Sequence, residues 1–179
     1  MDWPMSPAAA GLTVACQAVL VLTFAAATAG KVRPAAFRAF RRSLSRGLPV
    51  PPVLAAPLSV AVIGAEVVTA VSVAVPATAR WGFGLAAVLL SAFTVAVVVM
   101  RRRGSTEPCR CFGTSAAPPG RAAVVRNVVL LTTAMFGVAG SSVAARGLPV
   151  AAVALAVFAG AVTALLLINL DEIAGLLAA

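Results

Sequence analysis

From Ala8 to Gly30 the sequence carries no charged side chain, and four more apolar runs follow, over 53–76, 81–100, 128–145 and 149–169. A helix needs about 20 residues to cross a hydrocarbon layer about 30 Å thick. Each run is close to that length. Within lipid, backbone amides must be satisfied inside their own segment, so such runs fold as helices. The chain has 179 residues, 61 % of them hydrophobic and 11 % charged, with a mean hydropathy of +1.05. Soluble domains carry roughly 45–50 % apolar and about 25 % charged residues. The expected fold is therefore all-α: a polytopic transmembrane bundle of about five spans, forming a single integral membrane domain over residues 1–179. Small residues on the spans (Gly64 and Ala65, Gly82 and Gly84, Gly137 and Gly140, Gly160) permit close helix approach.

The first run ends in Ala27-Thr28-Ala29, a weak match to a signal-peptidase site, but no basic residue precedes Lys31. A signal peptide needs a positive amino-terminal region, so this run is expected to be a retained helix. The connector from Lys31 to Pro52 holds six basic residues. Phe37, Phe40 and Leu44 recur there at helical spacing with arginines opposite them, which predicts a basic amphipathic helix lying in the membrane interface.

The formal charge is +9. Its basic residues flank apolar runs, so they are read as membrane-facing topology signals, with lipid headgroups rather than nucleic acid as their partners. The connector from Lys31 to Pro52 and the one spanning Arg101 to Asn127 each carry six basic residues, against only Arg80 and Arg146 on the opposite side. Positive charge favours the cytoplasmic face. The amino terminus is therefore expected outside and both long connectors inside. The alanine- and arginine-rich composition points to a bacterial cell (inner) membrane.

The absence of histidine removes histidine metal sites and a histidine base, and the absence of tyrosine removes phenolic chemistry. The remaining candidates are few. Cys109 and Cys111 stand on either side of Arg110 in a connector rich in Pro, Gly, Ser and Thr, close to Arg101–Arg103. Positive neighbours favour the nucleophilic thiolate. A disulfide closed across a single residue is strained, and strained, exposed disulfides exchange readily. Thiol–disulfide chemistry is the leading reading of this pair. Two incidental reduced thiols, or a metal site completed by Cys16, Glu107 and a second protomer, are the alternatives, and no metal is expected. Cys16, inside the first run, is expected to be a packing residue.

Glu66 lies inside the second run. A carboxyl group there is costly and marks function by default. With no basic residue inside any neighbouring run, it is expected to be a neutral, hydrogen-bonded acid, either relaying a proton or meeting a polar group such as a quinone carbonyl, or simply bonding a Ser or Thr on a neighbouring helix. A quinone is thus the one candidate cofactor.

Taken in order, five features resemble the methylamine utilisation protein MauE family, within the DoxX-like membrane proteins. They are a first span ending at Lys31; the connector with Pro34 and Phe37; Glu66 in the second span; Cys109-Arg110-Cys111-Phe112-Gly113 after the third; and Arg126-Asn127 opening the fourth. The resemblance covers about residues 10–170. It implies maturation or disulfide handling of secreted redox enzymes beside a thioredoxin-like partner, with Cys109 and Cys111 as the redox pair and Glu66 as a supporting residue. Disulfides form outside the cytoplasm, whereas the charge rule puts these cysteines inside. Either electrons cross the bundle from a cytoplasmic donor, or the basic interfacial helix misleads the rule. From a different class, the alternative is a non-catalytic assembly or scaffold subunit that docks a partner enzyme. A transporter is disfavoured by a single intramembrane acid and no repeat.

Overall fold

A computed structural model describes residues 7–105, 120–140, 148–170 and 172–173. They form six helices: α1 (Pro7–Val32), α2 (Pro34–Gly47), α3 (Pro52–Ala74), α4 (Ala79–Arg102), α5 (Arg121–Gly140) and α6 (Val150–Ile168). Every one but α2 is long and apolar enough to cross a membrane. The protein is an all-α polytopic membrane bundle.

Proline sets the boundaries. Pro34 disfavours helical geometry at the preceding residue, and Arg33 is extended (φ −66°, ψ 137°), which separates α1 from α2. Pro34 and Pro52 then open α2 and α3, where a missing amide hydrogen costs nothing. At its far end α3 turns tightly into α4, and the Thr78 hydroxyl donates 2.9 Å to the Ser72 carbonyl. Gly104 closes α4 with φ +63°. Its amide bonds the Arg101 carbonyl while that of Ser105 bonds Met100, which is the Schellman pattern that left-handed glycine permits.

α1, α3, α4 and α5 form a ring in which each packs on its two neighbours, and α6 lies on the outer flank of α1. Leu20, Phe24, Phe83, Leu90, Phe93 and Leu130 fill its centre. Gln17 Nε2 donates 3.2 Å to the Val73 carbonyl, tying α1 to the last turn of α3. Glycine allows the closest crossings. A Cβ on Gly82 would come within 2.5 Å of the Val73 amide nitrogen, and one on Gly160 within 2.6 Å of the Ala15 carbonyl oxygen. Gly64 and Gly84, by contrast, face open space.

α2 is amphipathic as expected: Phe40 is buried against the bundle while Arg38, Arg41, Arg42 and Arg46 are exposed. Several helix limits differ from the sequence reading by a few residues, and two of these differences bring charged residues into the interior. α1 runs past Gly30 to Val32, so Lys31 belongs to the first helix and not to the connector. α5 begins at Arg121, so Arg126 and Asn127 lie inside it and are buried. Both differences have one cause. A charged residue near the end of an apolar run looks like the start of a polar loop, but a helix continues if the charge finds a partner inside.

Candidate functional site

Glu66 is fully buried on the inner face of α3. Its carboxyl oxygen Oε1 lies 2.6 Å from Lys31 Nζ, which is also buried, in the last turn of α1. The expectation that Glu66 lacks a counter-ion is therefore corrected. Side chains on a helix lean toward its amino terminus, so a lysine in the last turn reaches back into the bundle instead of out of it. The Lys31 ammonium also stands 5.3 Å from the Phe40 ring centroid on α2, within the roughly 6 Å range of a cation–π contact. One cation thus links three helices.

The pair is incompletely satisfied. Glu66 Oε2 has no hydrogen-bond partner among the described residues. The Thr28 hydroxyl, one turn before Lys31, faces the same carboxyl group but makes no hydrogen bond of ordinary geometry. Asn127 on α5 is also fully buried, with neither amide atom partnered among the described residues. A Cβ on Gly140 of α5 would run into the Thr13 hydroxyl of α1. Counting down both helices from that contact puts Asn127 level with Ala26 and Ala27, about one turn before Lys31. Arg126, 1 % exposed, is next to it in sequence. The bundle interior thus holds a polar layer of Lys31, Glu66 and Asn127 beside its apolar centre. The orphaned Glu66 oxygen and Asn127 amide are groups that water, a proton or a polar ligand would satisfy.

Ser105 at the end of α4 and Gly120 before α5 lie beyond this layer, on the side toward which α1 ends. Cys109 and Cys111 lie between them, outside the described residues. Cys16 is buried among core residues of α1, as expected. Among the described residues no group of three or more Cys, Asp or Glu side chains is placed to hold a metal.

A cavity of about 170 Å³ lies between α2, α3 and α4, walled by Phe40, Leu44, Leu58, Val62, Phe93 and Met100, with the Ser43 hydroxyl as its polar group. Phe40 is shared by this cavity and by the Lys31 contact. Val62 stands one turn before Glu66 on the same helix.

Sequence reasoning found Glu66 and missed Lys31, Gln17 and Asn127 as interior groups. The usable signal for Lys31 was Glu66 itself, since an intramembrane acid calls for a partner. Lys31 is the only lysine in the chain and follows the first apolar run directly.

Fold and site together define a multi-pass helical membrane protein with a charge-paired acid buried in its second span. The chain belongs to the methylamine utilisation protein MauE family, whose family model matches residues 9–140. The match runs from α1 to the described end of α5, and α6 lies beyond it. Searches of curated proteins and of solved structures found no match.

Proposed function

We propose that the protein is a membrane accessory factor of methylamine utilisation that handles thiols and disulfides during maturation of a partner enzyme. It works with a thioredoxin-like protein through Cys109 and Cys111. Family membership supports the accessory role. The observation that carries the chemical reading is the Lys31–Glu66 pair, buried in the bundle interior. A buried acid with one oxygen unpartnered among the described residues is suited to take the proton an attacking thiol gives up and return it to the leaving thiolate. On this reading Glu66 supports the cysteines and does not attack a substrate.

Serine replacement of both connector cysteines is the direct test. Cys109→Ser/Cys111→Ser should abolish maturation of the partner enzyme while the protein still accumulates in the membrane. Full activity in the double variant would make the protein a scaffold.

A lipid-borne quinone is the cofactor this reading names. A bound quinone would supply the acceptor for the two electrons and two protons released when a dithiol closes to a disulfide. The apolar cavity of about 170 Å³ between α2, α3 and α4, with Ser43 in its wall, is where this reading would seat the ring.

The reading also places the protein in a bacterial inner membrane with both basic connectors in the cytoplasm. A membrane-impermeant maleimide should therefore spare Cys109 and Cys111 in intact cells and label them after permeabilisation. Labelling in intact cells would reverse the orientation. Cys16, 7 % exposed, should react in either case only after unfolding, and labelling of all three thiols at equal rates in native membranes would contradict its burial.

A further inference from the structure

We infer that the arginine face of α2 and the first turn of α3 together form a binding site for the phosphate of an anionic phospholipid. Arg38, Arg41, Arg42, Ser45 and Arg46 recur at the three- and four-residue spacing of one helix face. They line a pocket of about 420 Å³ whose opposite wall is Pro52 and Ala55 of α3. The pocket is thus a polar cleft between two helices, not merely a charged surface.

Three features select an anion. First, no acidic residue occurs on α2 or on the opening turns of α3. Glu66, the only acid on α3, is engaged by Lys31. Like charges at four-residue spacing, as Arg38 with Arg42, repel one another, and a bound anion relieves that repulsion. Second, α3 begins at this wall with no side-chain cap, because Pro51 holds the capping position. The positive end of the α3 dipole therefore faces the cleft. Third, the cations are all arginine, whose planar fork pairs two donors with two phosphate oxygens.

A lipid is selected over a free anion by what adjoins the cleft. The neighbouring face of α3 carries an apolar groove lined by Val50, Pro51, Leu54, Pro57 and Leu58. Leu54 and Val53 are exposed beside it. Phosphate recognition and an apolar surface for an acyl chain thus meet at the same helix start, where the amphipathic helix lies in the interface. This inference does not depend on the thiol reading, and its test does not involve the cysteines.

The test uses the full chain, purified and placed in bilayer discs of phosphatidylcholine with a titrated fraction of phosphatidylglycerol, with bound lipid counted by native mass spectrometry. Retention should saturate with phosphatidylglycerol and be absent in phosphatidylcholine alone. Arg41→Gln/Arg42→Gln should weaken retention about tenfold or more. Arg101→Gln/Arg102→Gln, which removes the same charge outside the cleft, should change it less than about threefold. If the Gln variant does not fold, Arg41→Lys/Arg42→Lys keeps the charge but loses the fork, and should still weaken retention several-fold. Equal losses in the two Gln variants would reduce the effect to net charge and overturn the site. So would equal retention of the two lipids. Displacement of phosphatidylglycerol by millimolar inorganic phosphate would make free phosphate the ligand and overturn the lipid assignment.

Discussion

Lys31→Met should sharply lower the amount of folded protein recovered from membranes, and adding Glu66→Leu to the same chain should restore much of it. The single change strands a buried carboxyl group whose second oxygen is already unpartnered among the described residues. Removing one member of a buried ion pair typically costs about 3–5 kcal/mol, whereas replacing both members with apolar residues is often neutral or stabilising. Glu66→Gln falls between these: its side-chain oxygen still accepts from Lys31 Nζ, but the lysine loses its anion. Glu66→Lys should be the most damaging, since it sets two cations together where one pair stood. Monodispersity and yield after extraction, compared across the four variants, make the measurement. If the single and double variants lose folded protein equally, Lys31 and Glu66 are not coupled and the pair does not hold α1 to α3.

This prediction differs from the one the residues alone support. Without a partner Glu66 is a neutral acid, and Glu66→Gln is harmless. With Lys31 against it, the same substitution unbalances a charge that is itself buried. Loss of maturation activity with normal accumulation in Glu66→Gln would identify the carboxyl group as a proton carrier. Loss of accumulation alone would identify it as a fastener between helices.

Gly82→Ala should destabilise the bundle by about 3 kcal/mol, at the upper end of the usual range for overpacking. The added Cβ would come within 2.5 Å of the Val73 nitrogen and 2.6 Å of the Ser72 carbonyl carbon. Both are backbone atoms, and they cannot rotate away as the end of a side chain would. The Gln17–Val73 bond between α1 and α3 uses the same stretch, so a shift of α3 here disturbs two contacts. Gly84→Ala, two residues on, is the control. Nothing lies within 4 Å of its Cβ position, and replacing a helical glycine with alanine gains about 0.5–1 kcal/mol. Thermal unfolding in detergent should lower the midpoint for the first and leave the second unchanged or raised. Matching midpoints would mean that α3 and α4 do not approach as closely as described.

The helical fold was legible in the chain because lipid leaves a long apolar run few alternatives. The amphipathic helix was legible too, since arginines and aromatics alternate around α2 with a helical period. Its apolar side is where Phe40 is buried. Helix ends were less legible. Lys31 and Arg126 look like the borders of polar connectors, and a border is usually placed at the first charge. Whether a charge ends a helix or enters the core depends on a partner far away in sequence. Glu66 is 35 positions from Lys31, and no local pattern encodes that meeting.

The glycines show the same division. Gly64, Gly82, Gly84 and Gly160 are alike in sequence as small residues on apolar runs. Only packing separates Gly82 and Gly160, which sit at helix crossings, from Gly64 and Gly84, which face open space. By itself the sequence determined the number and type of the membrane helices, the amphipathic connector and the presence of an unusual acid, because each follows from local hydropathy and period. Tertiary structure alone decided which cation that acid meets, that Asn127 and Arg126 are interior, and which glycines bring helices together. Those properties depend on the rotation and depth of one helix against another, which side-chain interlock sets and hydropathy does not.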